Sequence, residues 1–314
     1  MVLSDNIKNM FASFAPETQK AMDRYTSFRV GGPADLLVLP KTVEQVVALV
    51  KTAHKAKLPV TIIGGGTNVL ISDNGIRGLV VVLTRLKQKI ELIAPCTNTG
   101  DESPDRIYVT ALAGEPLGRL CRYAADAGLS GLAWAAGIPG TLGGAVMMNA
   151  GAFGNDMSQI VKQIEVLDLA TLETQVLPAD SLSLQFSYRK LALENSIVLK
   201  VRLGLTKADA GTVRDEFYRN LKTKQSTQPV SQASAGCFFK TPPGDKSAGF
   251  LIEQAGMKSA RCNGAMVSDL HANFIVNHGN ACARDILNLA GQVRKRVYEK
   301  FGINLKKEVK TIGD

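Results

Sequence analysis

The sequence predicts a mixed α/β protein of more than one domain, and three observations carry that expectation. Apolar strand-like runs alternate with amphipathic helical segments, beginning with a strand, a helix and a strand between residues 33 and 63. At 314 residues the chain exceeds what one hydrophobic core commonly organises. Its composition, 45% hydrophobic and 21% charged, is that of a globular protein, with no low-complexity tract and no repeat of fixed period.

Several function classes are disfavoured at once. Residues 1–20 mix Asp5, Lys8, Glu17 and Lys20 with short apolar groups, unlike the uninterrupted apolar region of a secretory signal, so cytoplasmic residence is expected. Five cysteines (Cys96, Cys121, Cys237, Cys262, Cys282) are odd in number and form no Cys-x-x-Cys pair. That argues against a disulfide framework and against zinc, and it fits a reducing compartment. His54, His271 and His278 lack partners at ligand spacing, so no metal is expected. The net charge of +9, from 37 basic and 28 acidic residues, is dispersed without aromatic interleaving. It points away from nucleic acid and suits a protein that handles phosphates. Lys306, Lys307 and Lys310 read as a solvated face.

Taken in order, residues 25–40 suggest a hairpin, with a polar strand, a Gly31-Gly32-Pro33 turn and an apolar strand. Thr42 can cap a helix whose apolar face is Val43, Val46, Val47 and Val50, and 58–63 follows as a buried strand. Directly after it comes Gly64-Gly65-Gly66-Thr67-Asn68. Three glycines leave backbone N–H groups free to approach an anion such as a pyrophosphate, although a tight turn is the plain alternative. The loop is neither a spaced dinucleotide fingerprint nor a Walker loop, because Val69-Leu70-Ile71-Ser72 beyond it reads as strand rather than helix. Asp73-Asn74-Gly75 then turns the chain into a strand at 78–83, and 95–105 is expected to be an exposed loop tip. A helix at 116–127 places Leu117, Leu120, Cys121 and Ala124 on one face and ends at Gly128.

That helix delivers the chain into 131–154, which holds seven glycines and no charged side chain. Such a backbone can turn sharply and lie against a large flat ligand, or it can be a buried structural loop. Pro139 and the glycines around it exclude a membrane span, since they would leave backbone groups unpaired in lipid. Strands at 164–169 and 197–203 flank Ser187-Tyr188-Arg189, where the arginine is a surface residue unless an anion lies nearby. After a boundary near 207–211, Val213, Phe217 and Leu221 mark a helix ending in Arg219, Lys222 and Lys224. A polar loop then delivers Cys237 before Phe238-Phe239-Lys240, where the thiol is either core or a candidate for proton transfer. The last helix follows Asn280 with Ile286, Leu289, Val293 and Val297 on one face, and a short strand after Gly302 holds Glu308.

Six ordered blocks resemble one family. They are Gly64-Gly65-Gly66-Thr67-Asn68-Val69-Leu70; Ala136-Gly137-Ile138-Pro139-Gly140-Thr141-Leu142-Gly143-Gly144 with Asn149-Ala150-Gly151; Ser187-Tyr188-Arg189; Ser234-Ala235-Gly236-Cys237-Phe238-Phe239-Lys240; His271-Ala272-Asn273-Phe274-Ile275-Val276-Asn277; and Glu308-Val309. From about Tyr25 onward the chain is similar to the UDP-N-acetylenolpyruvoylglucosamine reductases, flavoenzymes that make UDP-N-acetylmuramate for peptidoglycan. The resemblance implies an α+β protein in which a two-lobed FAD-binding domain of the vanillyl-alcohol-oxidase type (23–207, split near 84–110) follows an N-terminal segment (1–22) and precedes an α+β substrate domain (208–314). It implies non-covalent FAD, NADPH as hydride donor and UDP-N-acetylglucosamine enolpyruvate as substrate, in a monomer that binds neither nucleic acid nor membrane.

Carried over residue by residue, the resemblance gives FAD contacts to Gly64, Gly65, Gly66, Thr67, Asn68, Gly137, Ile138, Pro139, Gly140, Gly143 and Gly144. It gives catalytic roles to Arg189, Glu308 and Cys237, with Cys237 as proton donor, and substrate contacts to Tyr188, Lys240 and Lys224. Glu308 beside an enolate is expected to have a raised pKa. Two departures stand out. Cys237 replaces a common serine, a swap that keeps an acidic proton but is expected to open the site to oxidation and alkylation. Thr241 stands where asparagine is common, which puts one substrate hydrogen bond in doubt. Only 190–196 separates Arg189 from the next strand, so the chain resembles the shorter type without a tyrosine-bearing insertion. Two other readings stay open, another FAD-dependent oxidoreductase of the same fold and a flavin-free nucleotide-sugar-binding protein.

Overall fold

The structure, a computed structural model, describes residues 3–93, 105–178, 180 and 186–313. The expected loop tip at 95–105 lies, except for Asp105, outside the described residues. The first sheet joins β1 (Glu17–Ala21), β2 (Pro33–Val38), β3 (Val60–Ile63) and, after the short β4 (Val69–Ile71), β5 (Ile76–Val82). Its order is β1-β2-β5-β3, with β2 and β3 parallel to β5 and β1 antiparallel on the edge. The parallel strands β2 and β5 are buried on both faces, which is why they read as unbroken apolar runs. Between β2 and β3 lies α1 (Val43–Lys55), where the Thr42 hydroxyl accepts from the Gln45 N–H at 3.2 Å. The buried face of α1 is Val46, Leu49, Val50 and Ala53, while Val43 and Val47 are half-buried at its rim.

The expected hairpin at 25–40 is corrected. β2 does pair antiparallel, but with β1, and residues 26–30 form no strand. Thr26 Oγ1 donates to the Val30 carbonyl at 2.7 Å and Arg29 takes a left-handed φ of 56°, so the segment curls upon itself. Its buried Phe28 and Val30 pack into a core made mostly of residues 235–309, a tertiary demand that local pattern does not report.

The second sheet is antiparallel throughout. Its main path is β6 (Glu91–Ile93), β7 (Arg106–Leu112), β8 (Val161–Asp168), β9 (Thr174–Pro178) and β10 (Ser196–Lys207), in the order β9-β8-β10-β7-β6, and the two residues Leu129–Ser130 pair with the end of β10 as a sixth strand. Helices α2 (Leu117–Asp126) and α3 (Leu142–Met147) connect β7 to β8. α2 buries Leu117, Leu120, Cys121, Ala124 and Ala125, and Gly128 at φ 66° ends it. α4 (Ala210–Thr227), capped by Asp209 Oδ1 on the Thr212 N–H at 2.8 Å, buries Val213 and Phe217 in this same core.

The remaining residues form a third sheet and two helices. β11 (Ala233–Cys237), α5 (Ala248–Gln254), β12 (Arg261–Cys262), β13 (Ala265–Val267) and β14 (Phe274–Asn277) give an antiparallel sheet of order β11-β14-β13-β12. α6 (Ala283–Phe301) buries Ile286, Leu289, Val293 and Val297 as its period predicts, roughly 1.5–3 kcal/mol for each side chain. Gly302 at φ 69° ends it. Two links carry this domain onto the first. Both Asp73 carboxylate oxygens accept the first α6 amides, Ala283 N–H at 2.7 Å and Arg284 N–H at 3.0 Å. β15 (Lys310–Ile312) runs parallel to β4, immediately after the triple-glycine loop. Glu308 therefore precedes this strand rather than lying in it, a correction to the sequence reading.

Candidate active site

Two glycine loops lie face to face. A Cβ on Gly65 would fall 2.7 Å from the Cα of Gly140, and one on Gly66, at φ 65°, would strike the Tyr25 carbonyl oxygen. Thr67 Oγ1 donates to the Pro139 carbonyl at 3.3 Å, locking the loops together. The glycines thus serve loop-on-loop packing as well as any ligand. The amides of Gly65, Gly66, Thr67, Asn68, Gly137 and Gly140 make no hydrogen bond to the described residues. Gly143 and Gly144 open α3, with the Gly143 N–H on the Ala113 carbonyl at 2.8 Å and Gly144 exposed. Ile138 is half-buried and Pro139 exposed at the turn between them. The Asn68 carboxamide points away, donating to Met148 Sδ at 3.3 Å and to the Glu308 carbonyl at 3.4 Å.

Four segments bring the charged residues together. Tyr188 and Arg189 form the turn of a hairpin at 186–191, in which Ser187 pairs with Lys190. Arg189 is half-buried, places Nε 3.5 Å from Glu308 Oε1 and donates from Nη2 to the Gly151 carbonyl at 3.0 Å. Its guanidinium lies 5.0 Å over the Tyr188 ring, which is otherwise exposed. Cys237 ends β11 after a bulge at Gly236, φ 76°, which re-aims the thiol. Asn273 braces the backbone two residues on, with Oδ1 accepting from the Phe239 N–H at 3.0 Å and Nδ2 donating to the Phe239 carbonyl at 2.8 Å. Residues 306–309 run alongside, with the Glu308 N–H on the Phe238 carbonyl at 2.9 Å and Lys240 N–H on the Lys306 carbonyl at 2.9 Å. Lys224 comes from α4, buried to 6% exposure, with Nζ 5.7 Å over the Phe153 ring.

Electrostatics follow from burial among these charges. Burial raises the Glu308 carboxyl above the usual range, opposed by Arg189 and then Lys240. Burial, with Glu308 adding to it, pushes the Cys237 thiol up to about 12, while Arg189, Asn273 and Lys224 pull the other way. Burial thus favours the protonated thiol, the form a proton donor needs, and lowers the thiolate fraction on which alkylation depends. Burial draws Lys224 down to about 8, with Arg189 adding and the thiols of Cys121 and Cys237 opposing.

Two residues escaped sequence reasoning. Phe153, at φ 52° and 47% exposed in a short hairpin at 151–156, lies under the Lys224 ammonium. Asn273 was visible only as part of a motif. Lys224 carried a readable signal, for it continues the buried Val213–Phe217 face where that face should stay apolar.

Residues 34–176 match the family described as FAD binding domain, and residues 228–312 match the family described as UDP-N-acetylenolpyruvoylglucosamine reductase, C-terminal domain. UDP-N-acetylenolpyruvoylglucosamine reductase from Caldanaerobacter subterraneus subsp. tengcongensis is 37% identical over 315 residues, covering 100% of this chain and 99% of the relative. This chain belongs to the UDP-N-acetylenolpyruvoylglucosamine reductase family. The reductase of Heliobacterium modesticaldum is 40% identical over 94% of this chain and 90% of its own length. The crystal structure of the Thermus caldophilus reductase superposes with a TM-score of 0.76 at 32% identity, over 95% of this chain and all of that one. The first match takes in most of β2 and runs into β9, covering much of the first two sheets, and the second takes in the third sheet with α5, α6 and β15. The donor set fits the cofactor. Six amides that make no hydrogen bond to the described residues lie on two loops held at glycine-to-glycine distance, a donor set suited to an anion such as a pyrophosphate, and a Cβ on Gly65 or Gly140 would force a shift between the loops. Among the described residues no group of His, Cys, Asp and Glu is arranged to hold a metal, and no helix is long and apolar enough to cross a membrane.

Proposed function

We propose that this chain catalyses the NADPH-dependent reduction of UDP-N-acetylglucosamine enolpyruvate to UDP-N-acetylmuramate, a step of peptidoglycan precursor synthesis. The convergence of Arg189, Glu308 and Cys237 carries the reading, because enolpyruvyl reduction needs a cation for a carboxylate and its enolate, and a proton source beside them. FAD, held by the loops at 64–68 and 137–144, supplies when bound the relay of hydride from NADPH to the enolpyruvyl β-carbon.

The chain's own residues manage the charge and the proton. Arg189 binds the substrate carboxylate and stabilises the enolate as negative charge moves onto it. Glu308, its carboxyl raised by burial, orients that group and adds least repulsion when protonated. Cys237 gives its Sγ proton to the α-carbon, and Arg189 and Lys224 stabilise the thiolate until solvent returns a proton. Hydride on the β-carbon and a proton on the α-carbon balance the reduction of the double bond. Lys224, Lys240 and Tyr188 bind the rest of the substrate, with the two lysines suited to its diphosphate. Thr241, exposed beside Lys240, replaces the family's asparagine at the rim. The domain division falls at 207/208, with the N-terminal segment 1–22 ahead of it. α4, first after that division, is the arm that reaches back over the FAD domain and delivers Lys224. A cytoplasmic monomer binding neither nucleic acid nor membrane completes the reading.

Anaerobic stopped-flow absorbance tests it. Bleaching by NADPH followed by reoxidation on adding the enolpyruvyl substrate is the expected sequence. Bleaching without reoxidation would leave a different oxidoreductase, and no flavin signal at all a nucleotide-sugar-binding protein.

A further inference from the structure

A buried amide that the proposed chemistry does not use lies between the two segments that frame Arg189. Asn149 follows the C-terminal end of α3, is 3% exposed and adopts a left-handed φ of 40°. Its carboxamide makes three hydrogen bonds to segments on either side. Nδ2 donates to Asp156 Oδ2 at 3.2 Å and to the Ser187 carbonyl at 3.1 Å, and Oδ1 accepts from the Ser158 N–H at 3.0 Å. Asp156 Oδ1 in turn accepts from both the Ser158 N–H and its hydroxyl, so the acceptor is itself held.

These bonds join two short hairpins. One, at 151–156, offers the Gly151 carbonyl to Arg189 Nη2 at 3.0 Å. The other, at 186–191, holds Arg189 at its turn with a φ of 56°, two residues after the carbonyl that Asn149 grips. The fit is close, since a Cβ on Gly151 would lie 2.8 Å from Arg189 Nη1. Neither hairpin has more than two paired residues on a side, too few to hold its register alone. Only a small polar residue tolerant of positive φ, able to donate twice and accept once, satisfies Asn149's surroundings.

We propose that Asn149 is a positioning residue for Arg189, clamping the 186–191 hairpin to the 151–156 hairpin so that the guanidinium stays between the Gly151 carbonyl and Glu308. The inference rests on the functional reading above, in which Arg189 contacts substrate. Asn149 itself touches no reacting atom.

The test is a double-mutant cycle on the FAD-loaded enzyme. Asn149→Gly keeps the backbone conformation accessible and removes all three bonds. It should lower kcat/KM for the enolpyruvyl substrate by about 10- to 100-fold in the native background and by less than about threefold in an Arg189→Ala background. Binding of UDP-N-acetylmuramate to the oxidised enzyme, measured by calorimetry, should weaken in the native background only. Flavin reduction by NADPH should be unaffected in both. Equal losses in the two backgrounds, or no loss in the native one, overturn the proposal. An Arg189→Ala enzyme with native kcat/KM refutes the functional reading itself, and the proposal with it. Should Asn149→Gly fail to fold, Asn149→Asp retains the Ser158 acceptor and the tolerance of positive φ but loses both donations, and it enters the same cycle with the same criteria.

Discussion

Lys224 gives the sharpest test of how burial and charge are balanced in the site. It is drawn from an ordinary 10.5 to about 8, chiefly by burial, and the grip on an anionic substrate proposed for it requires the ammonium form. The kcat/KM for substrate reports ionisations of the free enzyme, so it should follow the protonated fraction of Lys224. A group titrating near 8 is about 90% protonated at pH 7 and about 10% at pH 9, so kcat/KM should fall roughly tenfold across that interval. Stability runs the other way. The folded pKa is depressed, so the neutral amine's contribution is present above 10.5 and is lost as pH falls through about 8. An alkaline loss of activity therefore does not report unfolding. Lys224→Met fills similar volume without the charge, and its profile should be flat from pH 7 to pH 9, converging with the native enzyme at the alkaline end. Steady-state rates in an overlapping buffer series decide the matter. A flat native profile, or a break that survives in Lys224→Met, would show that the substrate does not sense this ammonium.

The other predictions concern the thiol, the cradle and the interdomain cap. Cys237→Ser should retain measurable turnover, whereas Cys237→Ala should keep flavin bleaching by NADPH and slow substrate reduction by about 10²- to 10⁴-fold. Normal turnover in the alanine enzyme would move the proton source elsewhere. Gly65→Ala places a methyl 2.7 Å from the Gly140 Cα and should purify with little flavin, judged by the ratio of flavin to protein absorbance. A full complement would mean the loops can part without loss of the cofactor. Asp73→Ala removes two acceptors from the first turn of α6 and should reduce stability by about 1–2 kcal/mol with the flavin retained. An unchanged urea midpoint would assign the cap no energetic weight.

Periodicity made α1, α2 and α6 legible, because each buries one stripe and caps cleanly at Thr42, Gly128 or Gly302. What escaped were residues whose conformation answers to distant sequence. The curl at 26–30 is settled by Phe28 and Val30 entering a core made mostly of residues beyond 230. Arg189 reads as a surface residue until the Gly151 carbonyl and Glu308, 38 and 119 positions away, arrive beside it. The triple glycine was legible as a site of close approach. The nearest approach, however, is between loops, and no spacing rule pairs Gly65 with Gly140.

The return of β15 to β4, with Phe28, Val30 and Leu70 seated among the residues of the third sheet, bears on how the protein comes apart. The core of the third sheet takes Phe28, Val30 and Leu70 from the start of the chain, and the core of the first sheet takes Ile312 from its end, so neither of these is closed by a contiguous stretch. Melting the third sheet would strip a wall from Phe28 and Val30 and release β4, and losing β4 would loosen the loop that precedes it. The free energies of the first and third sheets are therefore pooled, and heat should unfold both in a single cooperative step, with calorimetric and van't Hoff enthalpies in agreement.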